Sequence, residues 1–187
     1  AVGDLVAGRR AGVALAVLWG VQTHAIVEST VYSESLFTAL SAWCLYAVLR
    51  RQWLTAGALG LLAGATRAAA AAVVVVVIAA ALLDREGGPR RFAAALLAPL
   101  GLVGYLAWAA NALGRWDGWF YMQHYGWFLH FDGGPSTVRT LVHRVLLEAT
   151  SLELYEVTAV LAASVVLFVL LVFLRPPWPL VAYAAGL

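Results

Sequence analysis

The chain has 187 residues, of which 63% are hydrophobic and 12% charged, with a formal net charge of +2. Soluble domains carry about 25% charged and about 45–50% apolar residues, so this composition argues against a water-dissolved globule and for helices solvated by lipid. All twelve basic residues are arginine, too thinly spread for a nucleic-acid surface. The lone cysteine, Cys44, excludes an intrachain disulfide. The chain opens without a signal peptide and closes inside the apolar run Tyr183–Leu187, which reads as an internal piece of a longer protein. The expected fold is all-α, a polytopic transmembrane helix bundle of the cell membrane.

A spanning helix needs about 20 mostly apolar residues. In chain order, candidate spans cover 11–27, 35–49, 92–110, 157–174 and a cut-off segment at 178–187. The stretch from Trp53 to Leu83 is too long for one ordinary helix and is interrupted at Thr66-Arg67. Two arms of about 15 residues would each rise only about 22 Å, so a broken, re-entrant pair over 53–66 and 68–83 is expected. Arginine placement supports that reading. With the first span starting in the cytoplasm and the broken pair going in and returning, eight arginines fall inside and four outside, as the positive-inside rule requires. The segment 111–156 is then an external loop. Within it, Val138, Leu141, Val142, Val145, Leu146 and Ala149 follow helical spacing and predict an amphipathic helix, lying on the membrane or packed on neighbouring loops.

Three constellations could carry chemistry. The first runs from Glu28 through Tyr32, Ser33, Glu34 and Ser35, where the chain turns back into the apolar phase. Ser33 could simply cap a helix whose first turn carries Glu34; alternatively these carboxylates and hydroxyls line an outward cavity for a polar ligand. The second is Arg67, flanked on both sides by Ala and Val runs. An arginine at such depth faces a protein interior or a water-filled cavity, and a guanidinium holds a phosphate through paired hydrogen bonds. Ending a short helix, or pairing with a buried acid, is the structural alternative. The third is the aromatic run from Trp116 to Phe131, half of whose residues are Trp, Tyr or Phe. A membrane-interface belt explains the rings, while the interspersed Asp117, Gln123 and His124, with Trp127, would also suit a sugar or a polyprenyl tail. No metal-binding histidine spacing, phosphate-binding glycine loop or G-x-S-x-G elbow is present, so neither a metal nor a cofactor is expected.

Val31-Tyr32-Ser33-Glu34-Ser35-Leu36-Phe37, the basic end Arg50-Arg51, the break at Ala65-Thr66-Arg67, and Ala98-Pro99-Leu100-Gly101 together resemble the PIG-V-like mannosyltransferases (the GPI mannosyltransferase 2 family), most closely their actinobacterial-type members. The run from Gly114 to Phe120, with Gln123 and Trp127, resembles an external loop of those members. The resemblance implies a GT-C architecture with an outward-facing site, a polyprenyl-phosphate-mannose donor, and a lipid or glycan acceptor. It gives Arg67 a donor-phosphate role and places Tyr32, Ser33, Glu34 and Ser35 in the cavity lining. The family often has proline after the arginine, where Ala68 stands here. Its catalytic acid lies in a first external loop that has no counterpart in this chain. Trp116-Asp117-Gly118 resembles that loop's Trp-Asp motif but follows several spans. Glu34 and Asp117 are therefore the candidate catalytic carboxylates, with Arg67, Tyr32, Ser33, Ser35, Glu28, Trp116, Gln123 and Trp127 as substrate-binding candidates. A transporter or flippase, or a non-catalytic membrane subunit, would use the same broken helices and buried arginine.

Overall fold

The computed structural model describes residues 1–21, 33–127, 135–136, 138–139 and 152–186. Among these residues the chain is all-helical, without strands, and it divides into two compact units. One comprises Ala1–Trp116 with Pro176–Leu187, the other Asp117–Arg175.

In the first unit, α1 (Val2–Ala7) and α2 (Arg9–Val21) are followed by α3 (Ser33–Leu49), α4 (Trp53–Thr66), a 3-10 turn (Ala68–Ala70), α5 (Ala71–Leu83), α6 (Arg90–Leu113) and α9 (Trp178–Gly186). The expected break is present. The backbone at Arg67 is extended, with φ −156° and ψ 149°, which no α-helix accommodates. The Thr66 hydroxyl donates to the Ala63 carbonyl at 2.6 Å, the local back-bonding that makes threonine a poor helix-interior residue. Trp53 Nε1, at the start of α4, donates to Asp84 Oδ2 just beyond α5 at 3.1 Å, so the two arms run antiparallel with Arg67 at their tip. The short α1, ending at Gly8 with φ 86°, was not foreshadowed by the apolar pattern.

Small residues set the packing of α4 on α6. A Cβ built on Gly57 would lie 2.8 Å from the Ala94 Cα, and one on Gly60 would lie 3.0 Å from the Ala98 Cβ. A Cβ on Gly101 would land on the Leu61 carbonyl oxygen. The rising register, 57 with 94 and 60 with 98, makes the two helices parallel. Ala98-Pro99-Leu100-Gly101 thus supplies a close backbone approach. Helix α5 is central: Val73, Val74, Val76 and Val77 are all buried, while Val75 faces the outer surface. Across from it, the Cys44 thiol donates to the Ala56 carbonyl at 3.3 Å and ties α3 to α4.

Among the described residues the core is accordingly made mostly of Ala, Gly and Val, with Cys44, Ser41 and only three bulky side chains, Phe37, Leu45 and Trp53, while many other bulky side chains point outward. Leu96 is 73% and Trp108 65% exposed, with Leu36, Leu54, Leu62, Leu100 and Val103 also exposed. Water would penalise this inversion at about 25 cal/mol per Å² of apolar surface. Lipid does not, and small residues at helix contacts are what close approach in lipid requires. Among the described residues, one helix, Arg90–Leu113, is long and apolar enough to cross a membrane; Ser33–Leu49, Trp53–Thr66, Ala68–Leu83 and Ala159–Phe173 are apolar but shorter.

The second unit contains α7 (Gly118–Tyr121), which continues into a π-helical turn (Met122–Gly126), and α8 (Leu152–Phe173). The amphipathic helix expected over 138–149 lies outside the described residues, apart from exposed Val138 and Arg139.

The α4–α6 contact makes a paired prediction for thermal unfolding in detergent. Gly101→Ala should destabilise by about 1–3 kcal/mol, as overpacking does. Gly104→Ala, whose added Cβ meets nothing within 4 Å, should be neutral or gain up to about 1 kcal/mol from helix propensity. Equal effects at the two positions would refute the packing account.

Candidate functional site

Glu34 and Arg67, named separately from the sequence, meet in space. Helix α3 runs antiparallel to α4, so its first turn, carrying Glu34, arrives beside the break that carries Arg67. Arg67 Nη1 and Glu34 Oε1 form an ion pair whose side chains are 37% and 35% exposed. The other carboxylate oxygen, Glu34 Oε2, is buried and has no hydrogen-bond partner among the described residues. Glu34 just precedes the apolar segment 35–49. The hydrogen bond from Arg67, aided by Glu34's own backbone N–H and opposed by partial burial, holds its carboxyl below the usual carboxylate range. The positive end of the α3 dipole favours the same charge state.

Two grooves flank the pair along the chain. Ser35, next to Glu34, lines a largely apolar cleft of about 740 Å³ together with Thr38, Ala39, Ala42, Trp19 and Trp43. Ala65, two residues before Arg67, lines a second of about 410 Å³ with Leu100, Gly104, Tyr105 and Trp108. A charged pair bordered by apolar clefts can bind an anion attached to a greasy chain.

The remaining candidates are placed as follows. Ser33 is the exposed first residue of α3. Glu28 and Tyr32 lie outside the described residues. Trp116, just past α6, is 91% exposed. Asp117, Gln123 and Trp127 belong to the second unit, where Asp117 stands at the N-terminal boundary of α7 and Gln123 within the π turn. Rings of that unit pack on one another, Tyr121 on Tyr125 at 4.6 Å and Trp119 edge-on to Phe120 at 5.0 Å between centroids.

A second polar cluster, read from the sequence only as topological charge, occupies the opposite end of the hairpin. Arg51 Nη1 lies 2.9 Å from Glu86 Oε2 and 3.6 Å from Asp84 Oδ1, and these carboxylates, Glu86 first, raise the Arg51 pKa. Arg51 adopts φ 55°, closing α3 with bonds from Gln52 N to Ala47 O and from Arg51 N to Val48 O, a Schellman turn in which glycine is the usual occupant. Arg91 Nη1 donates to the Asp84 carbonyl. The signal for this cluster was the pairing of Arg51 and Trp53 with the acidic turn Asp84–Glu86.

No family model, curated protein or solved structure matches the chain. Fold and site together define an all-helical protein with an outward-facing apolar surface and an ion pair at a helix break.

Because the folded pKa of Glu34 is depressed, the pair contributes stability above the ordinary glutamate value of about 4.3. That contribution is lost as pH falls through the lower folded value. Melting of the wild type and Glu34→Gln between pH 7 and pH 3 should show a larger acid-side fall for the wild type. Parallel curves would remove Glu34 from the pair.

Proposed function

We propose that the chain is part of a multi-pass membrane glycosyltransferase of GT-C type. It transfers mannose from a polyprenyl-phosphate-mannose donor to a lipid or glycan hydroxyl on the non-cytoplasmic side. The observation that carries this reading is the Arg67 guanidinium, held at the tip of a broken helix pair and already engaged with a carboxylate. The inverted core supports the membrane setting. So does the charge distribution: Arg50, Arg51, Arg85, Arg90 and Arg91 gather at the end of the hairpin away from Arg67, the asymmetry expected of a cytoplasmic face.

Chemically, an acceptor oxygen attacks the anomeric carbon, its proton passes to a carboxylate base, and the bond to the phosphate oxygen breaks. The departing lipid phosphate is stabilised by Arg67. The donor phosphate must compete with Glu34 for that guanidinium. Displacing Glu34 removes the interaction that depresses its pKa and leaves a more basic carboxylate close to the sugar. Donor binding and base activation are then linked through one arginine. A transporter or flippase for a polar lipid shares the broken helices, and turnover separates the two.

In a mannose-transfer assay on protein in membranes, Arg67→Ala should lower turnover by at least about 100-fold, the effect of removing one transition-state donor. Arg67→Lys should retain part of it, having charge without the planar fork. Protein levels should hold, and unchanged turnover in Arg67→Ala would end the assignment. Topology is tested with single cysteines read by a membrane-impermeant thiol reagent, the native Cys44 being fully buried. Glu34→Cys should label only from the non-cytoplasmic side and Arg90→Cys only from the cytoplasmic side; labelling of both from one side would overturn the arrangement.

A further inference from the structure

The end of the bundle opposite Arg67 carries a cleft that the proposed chemistry does not use. It has a volume of about 660 Å³, and its lining includes Arg51, Gln52, Leu54, Thr55, Glu86 and Arg90. Five guanidinium groups, Arg50, Arg51, Arg85, Arg90 and Arg91, stand at this end against two carboxylates, Asp84 and Glu86. Both carboxylates are taken up by Arg51, and Asp84 also accepts from the Trp53 indole. Arg50, Arg85 and Arg90 are exposed and have no ion-pair partner among the described residues. Within the cleft lining, Glu86 is engaged by Arg51 and Arg90 is left as the unpaired cation among the described residues, so the lining carries a net positive charge.

Two further features sharpen the chemistry. The parallel helices α4 and α6 both begin here, and neither has a side-chain cap at its first turn, so two positive dipole ends add to the arginine charge. Beside the polar cleft the outer surface turns apolar at once: Leu54 is 50% and Phe92 49% exposed. A soluble anion would use the charge but not the apolar flank. A ligand with a phosphodiester and acyl chains uses both.

We propose that this cleft binds the headgroup of an acidic phospholipid, with Arg90 contacting the phosphate, Gln52 and Thr55 supplying polar contacts, and the acyl chains lying along Leu54 and Phe92. This rests on the membrane setting proposed above but not on the transferase activity. Basic clusters at the cytoplasmic ends of membrane helices attract anionic lipids with about 1 kcal/mol per arginine.

The test is native mass spectrometry of the purified chain in micelles holding equal fractions of phosphatidylglycerol and phosphatidylcholine. The wild type should retain phosphatidylglycerol preferentially. Arg90→Gln should cut that preference about fivefold, the equivalent of about 1 kcal/mol, while Arg90→Lys keeps most of it. Arg139→Gln, an exposed arginine of the other unit, should leave it unchanged. Equal retention of the two lipids by the wild type, or an Arg90→Gln profile like the wild type's, would overturn the proposal. So would displacement of phosphatidylglycerol by inorganic phosphate at equal concentration, which would mark a site for a soluble anion. Mannose transfer by Arg90→Gln should match the wild type, and Arg67→Ala should keep the lipid preference, so failure at one site is distinguishable from failure at the other.

Discussion

The first unit depends on how closely α4 and α6 approach. Gly57, Gly60 and Gly101 bring the two backbones into direct contact, and no larger residue fits at Gly101. Once these helices are parallel and touching, the chain between them must return along the bundle, so α5 runs antiparallel and takes the central position with Val73, Val74, Val76 and Val77 buried. That return requires a sharp reversal after α4, and the extended residue at position 67 provides it. The break is thus a consequence of the packing as well as a place to put an arginine.

The same geometry sorts the charges. A helix pair with its reversal at one end collects its other termini at the opposite end. The turns after α3 and α5 and the start of α6 therefore share one neighbourhood, where Arg51 bridges Glu86 and Asp84. Arg51 occupies a left-handed conformation, φ 55°, in which glycine is the usual occupant. At the reversal the described residues place Arg67 against Glu34. The first unit thus carries a polar cluster at each end of its hairpin and small residues at the helix contacts between.

Much of this could be read from the residues. The break at Thr66-Arg67 was visible because neither arm is long enough to be a full span, and the structure ends α4 at Thr66 and α5 at Leu83 as expected. The apolar segments 35–49 and 92–110 fall within the helices Ser33–Leu49 and Arg90–Leu113, longer because polar turns continue a helix that an apolar count stops short of. What the sequence could not yield was partnership. Glu34 and Arg67 were each singled out for being charged beside apolar runs, yet periodicity along one helix carries no information about which helix end another will meet. The Arg51–Asp84–Trp53 cluster escaped for the same reason. Ala98-Pro99-Leu100-Gly101 was read as a family motif, and its physical basis is the clearance that α4 needs.

The ion pair at the break is not symmetric in its two members. A carboxylate without its partner can take up a proton and become neutral at moderate pH, so losing Arg67 would leave Glu34 an inexpensive alternative. A guanidinium cannot do the reverse, because it stays protonated in any protein environment. Arg67 therefore always requires an anion or water at the tip of the hairpin, whereas Glu34 does not require Arg67. In this structure Glu34 is that anion. Any phosphate entering the neighbourhood meets a cation that must be neutralised and a carboxylate that can be released. The demand for an anion comes from the arginine, and the freedom to exchange it comes from the glutamate.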